Sequence, residues 1–327
     1  MKTGMILRTG VAALVVAMSA AVSTAQDFPT KSITMIVPFA AGGAGDILAR
    51  SLGARLEPGW GKPMVVENKP GAGGVIGAVA TAKAEPDGYT LMIAPSATMA
   101  VNVSLFKALS YDPVADFVPL ALAAQTPFVL VVNPDLPVKS IPDLIKYAKE
   151  KGGALSYATA GPGVPHHLFA ELLKSMTGIE MSPVAYRGSL PALNDVIAGH
   201  IPLMFVDLGP ALGIIQAGKV RPLGISTKER FAALPDVPPL AEAGVPGFDA
   251  ASWQMVVAPA KTPQPVIEKL HNDFKRVLDT PESKEQILKN GMIPAANPSV
   301  AGLRDFIKSE IARWGKVVAQ AGLTASQ

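Results

Sequence analysis

SITMIVPFAAGGAGDILAR, residues 32–50, decides how the rest of the chain is read. Ile33 to Val37 is a short apolar run of strand formers that stops at Pro38, which predicts a buried strand ending there. Ala40 to Gly45 then carries three glycines and no bulky side chain, so backbone N–H groups can converge on one point as they do in an anion-binding nest. A helix is expected from near Asp46. Its apolar residues Ile47, Leu48, Leu52 and Leu56 recur at near-helical spacing, and Asp46 and Arg50 form a favourable i,i+4 pair. A strand, a turn and a helix N-terminus in this order can hold a carboxylate or phosphate on oriented amides without a lysine or arginine at the contact. The same glycines also suit a turn that does no more than reverse the chain.

The pattern recurs further along. The strand expected at Leu155–Ala158 runs into TAGPGVPHH, residues 159–167, and then into a helix containing Leu168, Leu172 and Leu173. Thr159 offers a hydroxyl, Gly161 and Gly163 expose amides, and Pro165 suits a first helical turn. His166 is either a ligand contact or an ordinary surface or capping residue. A second glycine turn, Gly71, Gly73 and Gly74, precedes an expected helix at Val75–Ala84. It resembles a dinucleotide fingerprint only superficially, because Ile76 stands where the third glycine belongs and Gly77 is one place late, which leaves close helix–sheet packing as the better role. The strand Thr90–Ala94 ends in Pro95-Ser96-Ala97-Thr98, so Ser96 and Thr98 either donate to a ligand or cap the next helix. Strand Leu203–Val206 ends at Asp207, which either receives an amine or hydroxyl of a ligand or caps a helix at Gly209–Ala217. In Tyr186-Arg187-Gly188-Ser189, Arg187 either pairs with a carboxylate or is a solvated or domain-bracing arginine, the second being the better reading.

Two long apolar runs organise the whole. Val118–Ala124 and Phe128–Val132, split by Gln125-Thr126-Pro127, carry the chain from one region into another with its own α/β rhythm. After a proline-rich return at Pro235–Pro246, Ala250–Ala258 reads as a second crossing strand. Helices Pro265–Leu278, Glu282–Lys289 and Val300–Ala321 follow and are expected to pack on the first region. Two crossings imply a discontinuous first lobe with a second inserted in it and a cleft between them.

Composition narrows the chemistry. Lys2 and Arg8 precede the apolar run Val11–Val22 and the small residues Ser23, Thr24 and Ala25, the pattern of a secretory signal peptide cleaved after Ala25. That segment holds two of the 29 basic residues and none of the 26 acidic ones, so the mature chain balances at +1. Its basic residues are dispersed, which argues against nucleic acid. The chain has no cysteine, which excludes disulfides, thiolate catalysis and zinc–thiolate sites. The four histidines, His166, His167, His200 and His271, lack metal-ligand spacing. No hydrolase elbow and no phosphate loop occurs, so neither an enzyme nor a cofactor is expected.

These residues resemble a known family. FPTKSITMIVPFAAGGAGDILAR, VVENKPGAGGVIGA, PDGYTLMIAPSA, YATAGPGVPHH and PALNDVIAGHIPLMFVD together are similar to the Bug family, the extracytoplasmic solute receptors of tripartite tricarboxylate transporters. The resemblance runs from Phe28 to near Ala321. It implies a type II periplasmic-binding-protein fold, two α/β lobes with a hinge and an interlobe cleft. The first lobe is expected at residues 26–125 and 247–327, and the second at 126–246, after a signal peptide at 1–25. It also implies that the turn at Phe39–Gly43, with Ala41 and Gly42, holds a ligand carboxylate through backbone groups and water. Thr159, Ala160, Gly161 and Gly163 close from the other side, and Ser96, Thr98, His166 and Asp207 set the choice of ligand. The expected partners are a small organic acid and a membrane permease, for a monomer working in the periplasm without cofactor or metal. A periplasmic sensory subunit serving a two-component kinase, and a secreted α/β enzyme or nucleotide-dependent oxidoreductase, are the alternatives.

Overall fold

The structure is a computed structural model that describes residues 28–327. The expected signal peptide and its cleavage site lie outside the described residues. The first strand, β1 (Ile33–Val37), is followed by α1 (Ala44–Trp60), β2 (Met64–Asn68), a 3-10 turn at Ala72–Gly74, α2 (Val75–Ala82) and β3 (Thr90–Pro95). β1 lies between β2 and β3 and is parallel to both, so the glycine turns after β1 and β2 emerge at the same carboxyl edge. α1 starts two residues before Asp46 because the Gly43 carbonyl already accepts the Ile47 amide at 3.0 Å. Gly77 is where α2 meets the sheet: a Cβ there would stand 2.7 Å from Pro38 Cβ. Close helix–sheet packing therefore accounts for this glycine.

A π-helical turn at Ala97–Val101 continues into α3 (Asn102–Leu105), and the chain then enters the long strand β4 (Phe117–Thr126). Pro127 has no N–H to give to a ladder, and there the chain leaves one sheet for another. The next strand, β5 (Phe128–Val132), belongs to the second sheet. That sheet is built by α4 (Ile141–Lys151), β6 (Ser156–Thr159), α5 (Pro165–Thr177), β7 (Ser182–Ala185), α6 (Ser189–Ile197), β8 (Leu203–Asp207), α7 (Leu208–Gln216) and β9 (Arg221–Ile225). Its order is β7-β6-β8-β5-β9, with β6 parallel to β7 and β8, and β5 antiparallel to β8 and β9. The return strand β10 (Ser252–Pro259) inserts between β3 and β4, antiparallel to both. Both expected crossings are present.

α8 (Gln264–Leu278), α9 (Pro281–Lys289), β11 (Ile293–Pro294) and α10 (Val300–Gln320) complete the chain. The first sheet then runs β11-β4-β10-β3-β1-β2. The free edge of β4 is covered by side chains as well as by β11. The Leu122 amide donates to Asn297 Oδ1 at 2.7 Å, and His271 Nδ1 donates to the Leu120 carbonyl at 2.7 Å. Edge groups satisfied in this way do not template strand addition. α8 packs Ile267, Leu270 and Phe274 against Leu48, Leu52 and Leu56 of α1, as expected for a helix of the first lobe.

α10 packs on β4 and residues 97–105 of the first lobe and also touches the second. Trp314 stacks on Phe169 of α5 with ring centroids 5.7 Å apart and planes 9° from parallel. Trp253 Nε1 of β10 and Trp314 Nε1 both donate to the buried Glu310 Oε2, at 2.7 and 3.0 Å. An indole N–H removed from water needs such an acceptor.

Candidate functional site

The turn after β1 is braced from beneath. Asn68 Nδ2 at the end of β2 donates to the Phe39 carbonyl at 3.0 Å, and the Gly42 amide donates to Asp46 Oδ2 at 3.0 Å. Arg50 grips the same carboxylate through Nε and Nη2, at 3.1 and 3.0 Å. Burial pushes the Asp46 carboxyl up, but the Arg50 bond, the Gly42 amide and Asn68 outweigh it and hold the group below its usual range. One expectation is corrected here. The Gly42 amide is not free for a ligand, because Asp46, a carboxylate of the chain itself, already occupies it. The amides of Gly43, Ala44 and Gly45 have no protein partner among the described residues, and Ala40, Ala41 and Gly42 are exposed. What the first lobe offers is thus the open N-terminus of a 17-residue helix, behind a turn whose shape is fixed by an ion pair.

The ring of Phe39, half-buried, and the methyl of Thr98 both crowd the place a Gly74 Cβ would take, at 3.2 and 3.0 Å. Ser96 and Thr98 are both buried. Thr98 Oγ1 donates to the Pro95 carbonyl at 3.1 Å, and Ser96 Oγ lies 2.9 Å from Ser252 Oγ of β10. Neither hydroxyl caps a helix by a side-chain bond. The Thr98 hydroxyl donates its proton within the chain, so it supports the turn instead of donating to a ligand.

In the second lobe, Thr159 Oγ1 donates to the Gly161 carbonyl at 2.9 Å, which closes the turn after β6 on itself. Ala160 and Gly161 are half-buried, and nothing lies within 4 Å of where a Gly161 Cβ would stand. Gly163, at φ +71°, is pressed against Leu105 of α3, so the second-lobe turn seats on the segment that follows β3. That segment also supports the first-lobe turn after β2, since Asn102 Nδ2 donates to the Gly73 carbonyl at 3.1 Å. Residues 97–105 therefore meet the second-lobe turn at Gly163 and the first-lobe turn after β2 at Gly73.

The two histidines at the start of α5 do different things. His167 Nδ1 accepts the Gly163 amide at 3.1 Å, and its Nε2 faces Glu171, which also takes Tyr157 Oη at 2.7 Å and Lys174 Nζ at 3.0 Å. Burial pushes the His167 imidazole down, and a neutral ring protonated on Nε2 fits both contacts. His166 is buried, not the surface residue that a first-turn histidine often is. Its Nε2 lies 3.1 Å from Asp207 Oδ1, which also accepts Ser189 Oγ at 2.5 Å, and its ring stands edge-on to Phe128, 5.0 Å away. Asp207 occupies the N-cap position of α7 but makes no capping bond with its side chain. Burial pushes its carboxyl up; the bond to and the charge of His166, then Ser189, bring it below the ordinary range.

The sequence reading missed Asn68, Thr126, Ser189, Ser252 and Gln254. Gln254 had a signal, a lone amide inside the apolar run of β10, and its Oε1 lies beside Gly45 at the start of α1. Gln254 Oε1, Thr126 Oγ1 and His166 Nδ1 are three of four buried side-chain polar atoms without a partner among the described residues. All three border the crossings at Pro127 and Ser252. A separate open groove of about 630 Å³, lined by Lys275, Asp279, Lys284 and Asn297 among others, lies beside β11 and includes none of these turns.

Residues 48–323 match the model of the tripartite tricarboxylate transporter family receptor. The chain belongs to that family. Over 305 residues it is 37% identical to the protein BugT of Bordetella pertussis, covering 93% of each chain. Among solved structures it is similar to Rpa4515 of R. palustris, determined with adipate, at 37% identity and a TM-score of 0.86, covering 91% of this chain and 99% of that one. MatC of Rhodopseudomonas palustris, with bound malate, matches at 33% identity and a TM-score of 0.81 over 89% of this chain and 100% of the other. The two-lobed α/β architecture is thus the solute-binding fold of these receptors, and the chain is a substrate-binding receptor rather than an enzyme.

Proposed function

We propose that this receptor works in the periplasm as a monomer, captures a small mono- or dicarboxylate between its lobes and delivers it to the membrane permease of a tripartite system. The observation that carries this reading is the α1 N-terminus, where the Gly43, Ala44 and Gly45 amides are unpaired and the turn before them is held by Asp46 and Arg50. Amides fixed before the ligand arrives exchange water for carboxylate with little ordering to be done, and retained waters can bridge the remainder. Adipate in one relative and malate in another are ligands of the same class. The lobes are residues 26–125 with 247–327, and 126–246, hinged at the two crossings. Phe39, Ala41, Gly42 and Gly43 shape the first-lobe contact, while Thr159, Ala160, Gly161 and Gly163 meet the ligand on closure. Contacts available only when the lobes approach shift the open–closed equilibrium toward the closed form.

Titration of intrinsic fluorescence and of melting temperature against a panel of organic acids, with amino acids and nicotinate included, tests the reading. An acid at a hundred times its Kd stabilises the folded chain by about 2.7 kcal/mol. Trp314, stacked across the lobes on Phe169, reports closure. If no member of the panel moves either signal, the carboxylate reading fails.

A further inference from the structure

Val164 stands at the N-cap of α5 with no side-chain oxygen to offer the amides around it. His167, the third residue of the helix, reaches back instead, and its Nδ1 accepts the Gly163 amide at 3.1 Å. We infer that His167 is the positioning residue of the second-lobe turn: its bare Nδ1 holds the Gly163 amide in the ligand-ready shape, and a proton placed on Nδ1 releases the turn and weakens binding. The inference rests on the reading above, in which this turn meets the ligand, and adds how the turn is held and what lets it go.

A capping box places glutamate or glutamine at this third position. An imidazole there differs, because its acceptor is a single lone pair that protonation removes. Nε2 faces Glu171 Oε1 at 3.8 Å, so the one proton of the neutral ring belongs on that side. The next proton enters at Nδ1, where it would meet the Gly163 N–H as donor against donor. The ring is buried, with Tyr157 of β6 beside it at 6.2 Å between centroids. Two charges act on it, both from α5: Glu171 favours a second proton and Lys174 opposes it. Glu171 is already answered by Lys174 Nζ at 2.9 Å and by the Tyr157 hydroxyl at 2.7 Å. From β8, Asp207 faces His166 and not this ring. α3 and α10 meet this part of the lobe through Leu105 and Trp314, which do not titrate. Burial therefore prevails and holds the imidazole below its usual range, so the neutral ring is the resting form at neutral pH. Release matters at Gly163 because this residue, at φ +71°, is the one pressed against Leu105 of the first lobe. Thr159 ties the turn only to its own Gly161 carbonyl, whereas His167 ties it to α5. A freed glycine has many other conformations to enter. Ligand and proton then oppose each other: the form that binds needs a bare Nδ1, so binding expels a proton from any receptor that carries one there.

Nitrogen-15 spectra of histidine-labelled receptor, with hydrogen exchange of the Gly163 amide followed alongside, test this without any ligand. At about pH 7.5 the His167 ring should carry its proton on Nε2, and the Gly163 amide should lose protection as the ring takes up a second proton below about pH 6. His167→Asn keeps an acceptor near the place of Nδ1 that does not titrate, and should leave the amide protected across this range. His167→Leu has no acceptor and should leave it unprotected throughout. Titration with adipate and malate reads the consequence. At about pH 7.5 His167→Leu should bind about tenfold more weakly than the wild type, and His167→Asn within about threefold of it. On acidification the wild type should weaken relative to His167→Asn, by up to about tenfold per unit once the ring titrates; the comparison removes the acids' own ionisation. A wild-type ring protonated on Nδ1 at about pH 7.5, or a Gly163 amide indifferent to the titration of His167, overturns the inference whether or not the variants fold. So does a folded His167→Leu that binds these acids as tightly as the wild type. A wild type that binds no organic acid sinks the carboxylate reading instead, and the ring and amide signals still decide whether His167 holds the turn.

Discussion

Asp46 shows how a single side chain prepares an anion site while carrying the wrong charge for it. Its carboxylate takes the Gly42 amide and is neutralised by a two-point contact with Arg50, so the turn is shaped before a ligand arrives. Asp46→Ala should release the turn, costing about 1–2 kcal/mol of stability and about tenfold in organic-acid affinity, read by urea unfolding and fluorescence titration. The ionised carboxylates also set an acid limit. Asp46 and Asp207 are both held below their usual range in the folded chain, so each favours folding fully above the ordinary aspartate range and progressively less as pH falls through its folded value. Melting temperature should drop below about pH 4 in the wild type, and less steeply in Asp46→Asn. Equal slopes for the two proteins would rule out this account of Asp46.

Among the elements, the seat of the second-lobe turn on α3 has the least slack. Gly163 combines a positive φ with contact against Leu105, so alanine there meets both backbone strain and a packed side chain. Gly163→Ala should destabilise by about 1–3 kcal/mol, and adding Leu105→Ala should recover part of the loss in a double-mutant cycle because the obstruction is removed. Additive losses in the cycle would place the strain in the backbone alone. α10 buries an apolar face of Leu303, Ile307, Trp314 and Val318, and its Glu310 carboxylate takes the indole N–H of Trp253 on β10 and of Trp314 on its own helix. Glu310→Ala leaves two buried indole N–H groups unpaired, a loss of about 3 kcal/mol, whereas Glu310→Gln keeps an acceptor and should lose less. Chemical denaturation followed by far-UV circular dichroism ranks the two.

In the whole molecule, two chain crossings do the organising. Pro127 ends one ladder, Phe128 begins the next with its amide on Ser226 Oγ, and β10 carries the chain back between β3 and β4. The lobes are also joined away from the crossings, by Leu105 on Gly163 and by Trp314 on Phe169. Closure as proposed would alter the surroundings of Trp314, which is stacked on Phe169 of the other lobe. Trp314→Phe should therefore abolish most of the ligand-induced change in emission while calorimetric binding persists; an unchanged signal would locate the reporter at Trp253 or Trp60.

The amino-acid sequence by itself determined the two sheets, the crossings, the glycine turns and the family, because each is written in local terms. A run of apolar residues, a proline and a cluster of glycines act on the backbone within a few positions. The Asp46–Arg50 pair was legible for the same reason, being one helical turn apart. Only the tertiary structure decided which hydroxyls and amides are spent. Thr98 donates to its own backbone, Gly42 is taken by Asp46, and Asp207 is shared by Ser189 and His166, which come from two other segments. The span of α10 across both lobes was also hidden, because its apolar face reads the same whichever partner covers it. The bonds to Asp207 join segments more than 15 residues apart and leave no period in the sequence, while those of Thr98 and Gly42 are local but depend on the turn conformation that packing imposes.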